Sequence, residues 1–195
     1  ADKCDVIMGV PAGLDMVETT RPYYRSTYVF VSRADRHLDV ASITDPRLRT
    51  LKIGVQLVGN DGFNTPPAHA LADQGIIRNV VGYPIYGDYR EPNPPARIVA
   101  AVARGDVDIA AVWGPLAGYF SKQSPVALQL APITGTERFA PLVFQFDIAM
   151  GVRKGDDKRR EQLDRLIEQN QGRIEALLQT YAIPVAAVAG SQLVK

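Results

Sequence analysis

The chain has 195 residues, of which 46% are hydrophobic and 22% charged, ordinary values for one globular domain or two small ones. Its 22 basic and 21 acidic residues give a net charge of +1. The basic residues are not concentrated in any segment, so the sequence does not predict a nucleic-acid-binding face. No apolar run approaches the roughly 18 residues that a membrane span requires, so neither nucleic acid nor a membrane span is expected.

Strand and helix patterns alternate from the start of the chain. The run "CDVIMGV" at residues 4–10 predicts a strand that leads into a tight "PAG" loop. The run "STYVFVSR" at residues 26–33 is rich in β-branched and aromatic residues and predicts the next strand. After a third strand pattern, "LKIGVQL", Thr65 predicts a helix N-cap and Gly75 the C′ residue of that helix.

The second half continues the alternation. The pattern "PPARIVAAVARG" predicts a helix closed by Gly105, and "DVDIAAVW" predicts a strand buried on both faces of a parallel sheet. Another strand follows at residues 142–155, and residues 156–183 predict a long helix with a break near Gly172. The predicted packing stripe of this helix consists of Leu163, Leu166, Ile167, Ile174, Leu177 and Leu178.

This alternation predicts an α/β protein with parallel-type sheets, in which ligands collect at the carboxyl ends of the strands. The loops expected at those ends are "GVPAG", "VGNDGFNT", "IYGDY" and "WGPLAG". Because each is rich in glycine, proline, amide or aromatic residues, together they indicate a binding cleft.

Groups for catalysis or metal binding are sparse. Cys4 is the only cysteine, which excludes an internal disulfide and a cysteine-based zinc site. Neither His37 nor His69 has an evident nucleophile partner, and no phosphate loop or metal-ligand spacing occurs. We therefore expect no catalytic residue, no metal and no cofactor.

The order of these motifs resembles the type 2 periplasmic solute-binding proteins of family 3, which close two α/β lobes on a ligand. The segments "GVPAGLDMVETTRPYYRSTYVFV", "GVQLVGNDGFNTPPAHALADQGI", "YGDYREPNPPARIV" and "AVWGPLAGYF" resemble more closely the quinoprotein-dehydrogenase-associated J-type branch. Its members accompany PQQ-dependent methanol dehydrogenases. The resemblance covers about residues 4–182.

The resemblance implies a non-catalytic periplasmic protein, related to the binding components of ABC transporters, that serves a methanol or alcohol dehydrogenase. Lobe 2 would be residues 33–145, and lobe 1 would combine residues 1–32 and 146–195. The candidate ligand- or partner-binding residues are Gly9, Pro11, Thr20, Tyr23, Tyr24, Asn60, Asp61, Asn64, Thr65, Tyr86, Asp88 and Trp113. For Tyr23, Tyr24 and Trp113 the alternative is packing within a lobe.

Two departures argue against an ordinary amino-acid binder. Residues 14–18, "LDMVE", contain no arginine to grip a ligand carboxylate. Pro66 and Pro67 remove two N–H donors from a helix N-terminus that would otherwise bind an anion. A transporter-type binding protein for another small polar solute is the alternative function. A dehydratase-like enzyme is less favoured, since Asp61 and Asp88 are better explained as loop residues.

The resemblance also implies that lobe 1 lacks its N-terminal β–α units, on the order of 60 residues. We expect Cys4 to be a disulfide partner for a cysteine in that part, since the periplasm is oxidising.

Overall fold

The computed structural model describes residues 4–58, 64–85 and 93–186. The chain divides into two compact units. Unit 1 takes its described residues from Ala1–Ser26, Gln145–Thr180 and Val185–Lys195, and unit 2 takes its own from Thr27–Phe144 and Tyr181–Pro184. The lobe boundaries given above stay a prediction.

Unit 1 is built on antiparallel strands and two helices. Strands β1 (Ile7–Pro11) and β2 (Glu18–Thr19) both pair with β8 (Gln145–Val152). Helices α4 (Asp157–Gln169) and α5 (Gln171–Thr180) follow. Strand β1 begins and ends later than the strand predicted for residues 4–10, and it includes Gly9 and Pro11, which were expected in the loop "GVPAG".

The long C-terminal helix breaks at Asn170, next to the predicted position. The side chain of Asn170 donates to the carbonyl of Leu166 over 2.8 Å, which competes with continued helical hydrogen bonding. The predicted packing stripe was wrong at two residues, since Leu166 is 46% exposed and Leu177 57% exposed, whereas Ile167 is buried. A spacing of three or four residues selects positions on two adjacent faces of the helix, and only one of these faces packs against the protein.

Unit 2 contains a mixed sheet. Strand β4 (Ile53–Leu57) pairs in parallel with β5 (Val80–Pro84) and with β6 (Ile109–Trp113). Strand β3 (Tyr24–Arg33), which enters this unit at Thr27, pairs antiparallel with β6 and with β7 (Leu128–Pro132). The parallel pattern predicted for residues 106–113 therefore holds on one side of β6, and the other side faces an antiparallel neighbour.

Three helices, α1 (Pro66–Asp73), α2 (Arg97–Arg104) and α3 (Gly114–Lys122), complete unit 2. Apolar residues of β3, β6 and α2 form one buried core cluster with part of α3, including Val29, Val31, Ile98, Val102 and Val112. Gly75 and Gly105 have φ of 72° and 79°. This left-handed conformation suits glycine and ends α1 and α2 where the sequence predicted.

Candidate functional site

The candidate residues of unit 1 lie on β1 and on the segment that leads into β3. Gly9 has φ of 75°, and no atom lies within 4 Å of where its Cβ would be, so the backbone conformation is what requires glycine. Pro11 is the last residue of β1. The following turn is fixed by Ala12 N–H, which donates to the carbonyl of Asp147 over 2.8 Å.

Thr20 is buried, and its hydroxyl is engaged within the unit. Its Oγ1 donates to the carbonyl of Arg21 over 2.9 Å and accepts from the N–H of Met150 over 3.0 Å. The N–H of Thr20 in turn donates to the carbonyl of Met150. These bonds fasten the polar segment to β8, and the predicted ligand-binding role of Thr20 stays a prediction.

Tyr23 and Tyr24 form an edge-to-face aromatic pair whose ring centroids are 5.1 Å apart. Burial raises the pKa of Tyr23, while a backbone hydrogen bond at Gly9 acts in the opposite direction. Burial raises the pKa of Tyr24 to about 12, and the neighbouring Tyr23 adds to this effect. Both rings line a cavity whose wall also contains residues of α5, a helix of the same unit.

The candidate residues of unit 2 gather around the carboxyl ends of β4 and β6. Asn64 is exposed, whereas Thr65 is 1% exposed and occupies the N-cap position of α1. Thr65 makes no side-chain cap, because its hydroxyl donates to the carbonyl of Gln56 over 2.8 Å. The sequence therefore predicted the N-cap position of Thr65 but not the hydrogen bond of its hydroxyl to Gln56.

Gln56 is a site residue that the sequence analysis did not select. It is 1% exposed, and its Oε1 accepts the N–H of Trp113 over 2.8 Å. Its buried Nε2 has no hydrogen-bond partner among the described residues, and a buried amide without one is costly. The available signal was one amide inside the apolar run "IGVQL". Gln56 joins the end of β4 to the end of β6.

Trp113 ends β6, precedes α3 and is half-buried. Its ring meets the buried Tyr28 edge-to-face at 5.3 Å, and Tyr28 meets Phe144 at 6.3 Å. Burial raises the pKa of Tyr28 to about 12. Trp113 is thus the partly exposed member of an aromatic cluster.

Four candidates, Asn60, Asp61, Tyr86 and Asp88, lie outside the described residues. Within the described ranges, no three histidine, cysteine or acidic residues come close enough together to hold a metal ion. Nor does any helix in those ranges have the length and apolar character needed to cross a membrane.

No family model matches the chain. The protein MoxJ of Methylorubrum extorquens is 35% identical over 196 residues, covering 95% of this chain and 63% of MoxJ. The MoxJ of Paracoccus denitrificans is 28% identical over 201 residues, covering 94% of this chain and 68% of that protein. The chain thus spans about two thirds of the length of these relatives.

Solved structures give the same picture. The periplasmic binding protein XoxJ from Methylobacterium extorquens AM1 superposes with a TM-score of 0.77 at 29% identity, over 95% of this chain and 76% of that one. MxaJ from Methlophaga aminisulfidivorans MPT gives 0.80 at 25% identity, over 95% and 77%. An ancestral cationic amino acid solute binding protein gives 0.63 at 17%, over 92% and 70%, a likeness of fold alone. These matches confirm the predicted fold class.

Proposed function

We propose, on the premise that the chain belongs to the MoxJ type of periplasmic binding proteins, that it is a periplasmic, non-catalytic accessory of a PQQ-dependent methanol or alcohol dehydrogenase. The observation that carries this proposal is the similarity to MoxJ, XoxJ and MxaJ, which exceeds the similarity to amino-acid-binding proteins of the same fold. A binding role without chemistry agrees with the name of XoxJ, a periplasmic binding protein.

Free amino acids are expected to bind weakly or not at all. Pro66 and Pro67 hold the first two positions of α1 without N–H groups, and the hydroxyl of Thr65 is already given to Gln56. This helix end therefore offers an anion three fewer hydrogen-bond donors. Calorimetric titration with the common amino acids is the measurement. A micromolar dissociation constant, about −8 kcal/mol, for an acidic or neutral amino acid would instead support the transporter-type alternative.

We place the dehydrogenase contact at the aromatic cluster of unit 2. The half-buried ring of Trp113 packs edge-to-face on the buried Tyr28, which packs in turn on Phe144, and these contacts restrict its movement. A rigid, partly exposed indole pays little conformational entropy on binding, and such residues commonly dominate interface energies. Trp113 is therefore the side chain chosen to test the proposed function.

Trp113→Ala is expected to weaken association with the dehydrogenase of the same organism by at least about tenfold. Surface-binding titration of the full chain against the purified dehydrogenase gives the affinity, and a thermal melt of the same variant gives its stability. The matched control is Val143→Ala, since Val143 is 51% exposed and belongs to the same unit. This control should bind as the unchanged protein does.

Two outcomes count against the proposal in different ways. If the unchanged chain fails to bind the dehydrogenase, the accessory function is wrong. If it binds and Trp113→Ala binds equally well while melting at a much lower temperature, the function stands and Trp113 is a core residue.

A further inference from the structure

A cavity of about 390 Å³ lies within unit 1, between the segment that enters β3 and the helix α5. Its lining includes Tyr23, Tyr24, Arg25, Gln171, Glu175 and Leu178. The volume falls at the small end of the range typical for small-molecule sites. Polar and apolar groups share its wall, as expected for a site that orients a ligand.

The charges around this cavity do not cancel. The Nε of Arg25 lies 3.5 Å from Oδ1 of Asp147, so the guanidinium is balanced by a carboxylate of its own unit. Glu175 accepts a hydrogen bond from the neutral amide of Gln171 over 3.1 Å and forms no ion pair in the described part of the chain. One negative charge therefore remains at the rim.

The aromatic pair of Tyr23 and Tyr24 also favours a cation. The faces of tyrosine rings are electron-rich and attract cations within about 6 Å of the ring centre. The ordinary pKa of a tyrosine phenol, 10.0, already keeps Tyr24 neutral near neutral pH, and burial raises its pKa further, to about 12. Leu178 supplies an apolar surface beside it.

We propose that this cavity is a binding site for a small organic cation, an alkylammonium or alkylguanidinium whose charged end lies between Tyr23, Tyr24 and Glu175. The alkyl part contacts Leu178. The site belongs to unit 1 and Trp113 to unit 2, and ligand binding there does not require the dehydrogenase association.

Titration of the full chain with n-butylammonium chloride tests the site, followed by NMR of labelled tyrosine rings. Saturable changes are expected at Tyr23 and Tyr24, whereas n-butanol and sodium chloride at equal ionic strength should cause no saturable change. Glu175→Gln should weaken butylammonium binding about threefold, and Tyr24→Leu by a similar factor. Tyr24→Phe keeps the ring and should bind like the unchanged protein.

The matched control is Glu161→Gln, which makes the same charge change at an exposed position of α4 and should leave binding unchanged. Equal binding of butanol and butylammonium would overturn the proposal, because the charge would then contribute nothing. So would equal losses in Glu175→Gln and Glu161→Gln, which would indicate general charge attraction. Should Tyr24→Leu fail to fold, the two glutamate variants and Tyr24→Phe still decide.

Discussion

Gly118→Ala is expected to lower the free energy of unfolding by about 2 kcal/mol, although alanine favours a helix by roughly 0.5–1 kcal/mol over glycine. Gly118 is buried within α3, and a Cβ there would overlap the carbonyl group of Ala182 and lie 3.2 Å from the Cα of Ile183. These are backbone atoms, which cannot rotate away. Denaturant unfolding followed by circular dichroism measures the loss.

The segment that Gly118 contacts has little freedom to retreat. Ala182 has φ of 52°, a left-handed conformation that is costly for alanine and persists only where its surroundings fix it. The rings of Tyr119 and Tyr181 lie 5.7 Å apart and join the same two segments. Moving the segment by the width of a methyl group would disturb both features.

Gly172→Ala is the matched control for this variant. Gly172 lies in α5, and no atom occurs within 4 Å of its would-be Cβ. Alanine should therefore raise the free energy of unfolding there, by up to about 1 kcal/mol. If Gly118→Ala were also stabilising, the packing of α3 against Tyr181–Pro184 would be wrong.

The features that could be predicted from the sequence depend on nearby residues. Gly75 and Gly105 end their helices because a left-handed C′ residue is a local requirement. The break in the C-terminal helix, which was predicted two residues away from Asn170, is also local, because the side chain of Asn170 donates to the carbonyl of Leu166 four residues earlier. The order of strands and helices, which carried the family resemblance, is likewise readable along the chain.

The features that could not be predicted depend on residues far apart in the chain. The hydroxyl of Thr65, expected to cap the helix, instead donates a hydrogen bond to the carbonyl of Gln56. No residue next to Thr65 in the sequence indicates this bond. The antiparallel pairing of β3 with β6 joins residues about eighty positions apart. For Tyr23 and Tyr24 the sequence left a cleft wall and packing within a lobe both open. In the structure both rings line a cavity together with residues of α5, and their binding role stays a prediction.

Ionisation of Tyr28 is expected to lower the free energy of unfolding as the pH rises from about 10 to about 12. Burial raises the pKa of Tyr28 from 10.0 to about 12 in the folded chain. Below pH 10 the phenol is protonated in both states and stability is unaffected. Between the two pKa values the unfolded chain releases the proton while the folded chain retains it, so rising pH favours unfolding. At pH 12 the loss reaches about 2–3 kcal/mol, from 1.36 kcal/mol for each pKa unit.

Tyr28→Phe removes this proton and should reduce the alkaline loss by about 2 kcal/mol, with a small effect at neutral pH, because the ring contacts to Trp113 and Phe144 remain. Urea unfolding at a series of pH values, compared with the unchanged protein, isolates the difference from the titration of lysines common to both. The control is Tyr119→Phe, since Tyr119 is 42% exposed and its removal should leave the alkaline loss in place. If Tyr28→Phe and the unchanged protein lost stability in parallel up to pH 12, the phenol of Tyr28 would have to ionise as readily in the folded chain as in the unfolded one. The buried aromatic cluster that supports Trp113 would then be open to water, and the rigidity on which the proposed dehydrogenase contact depends would be absent.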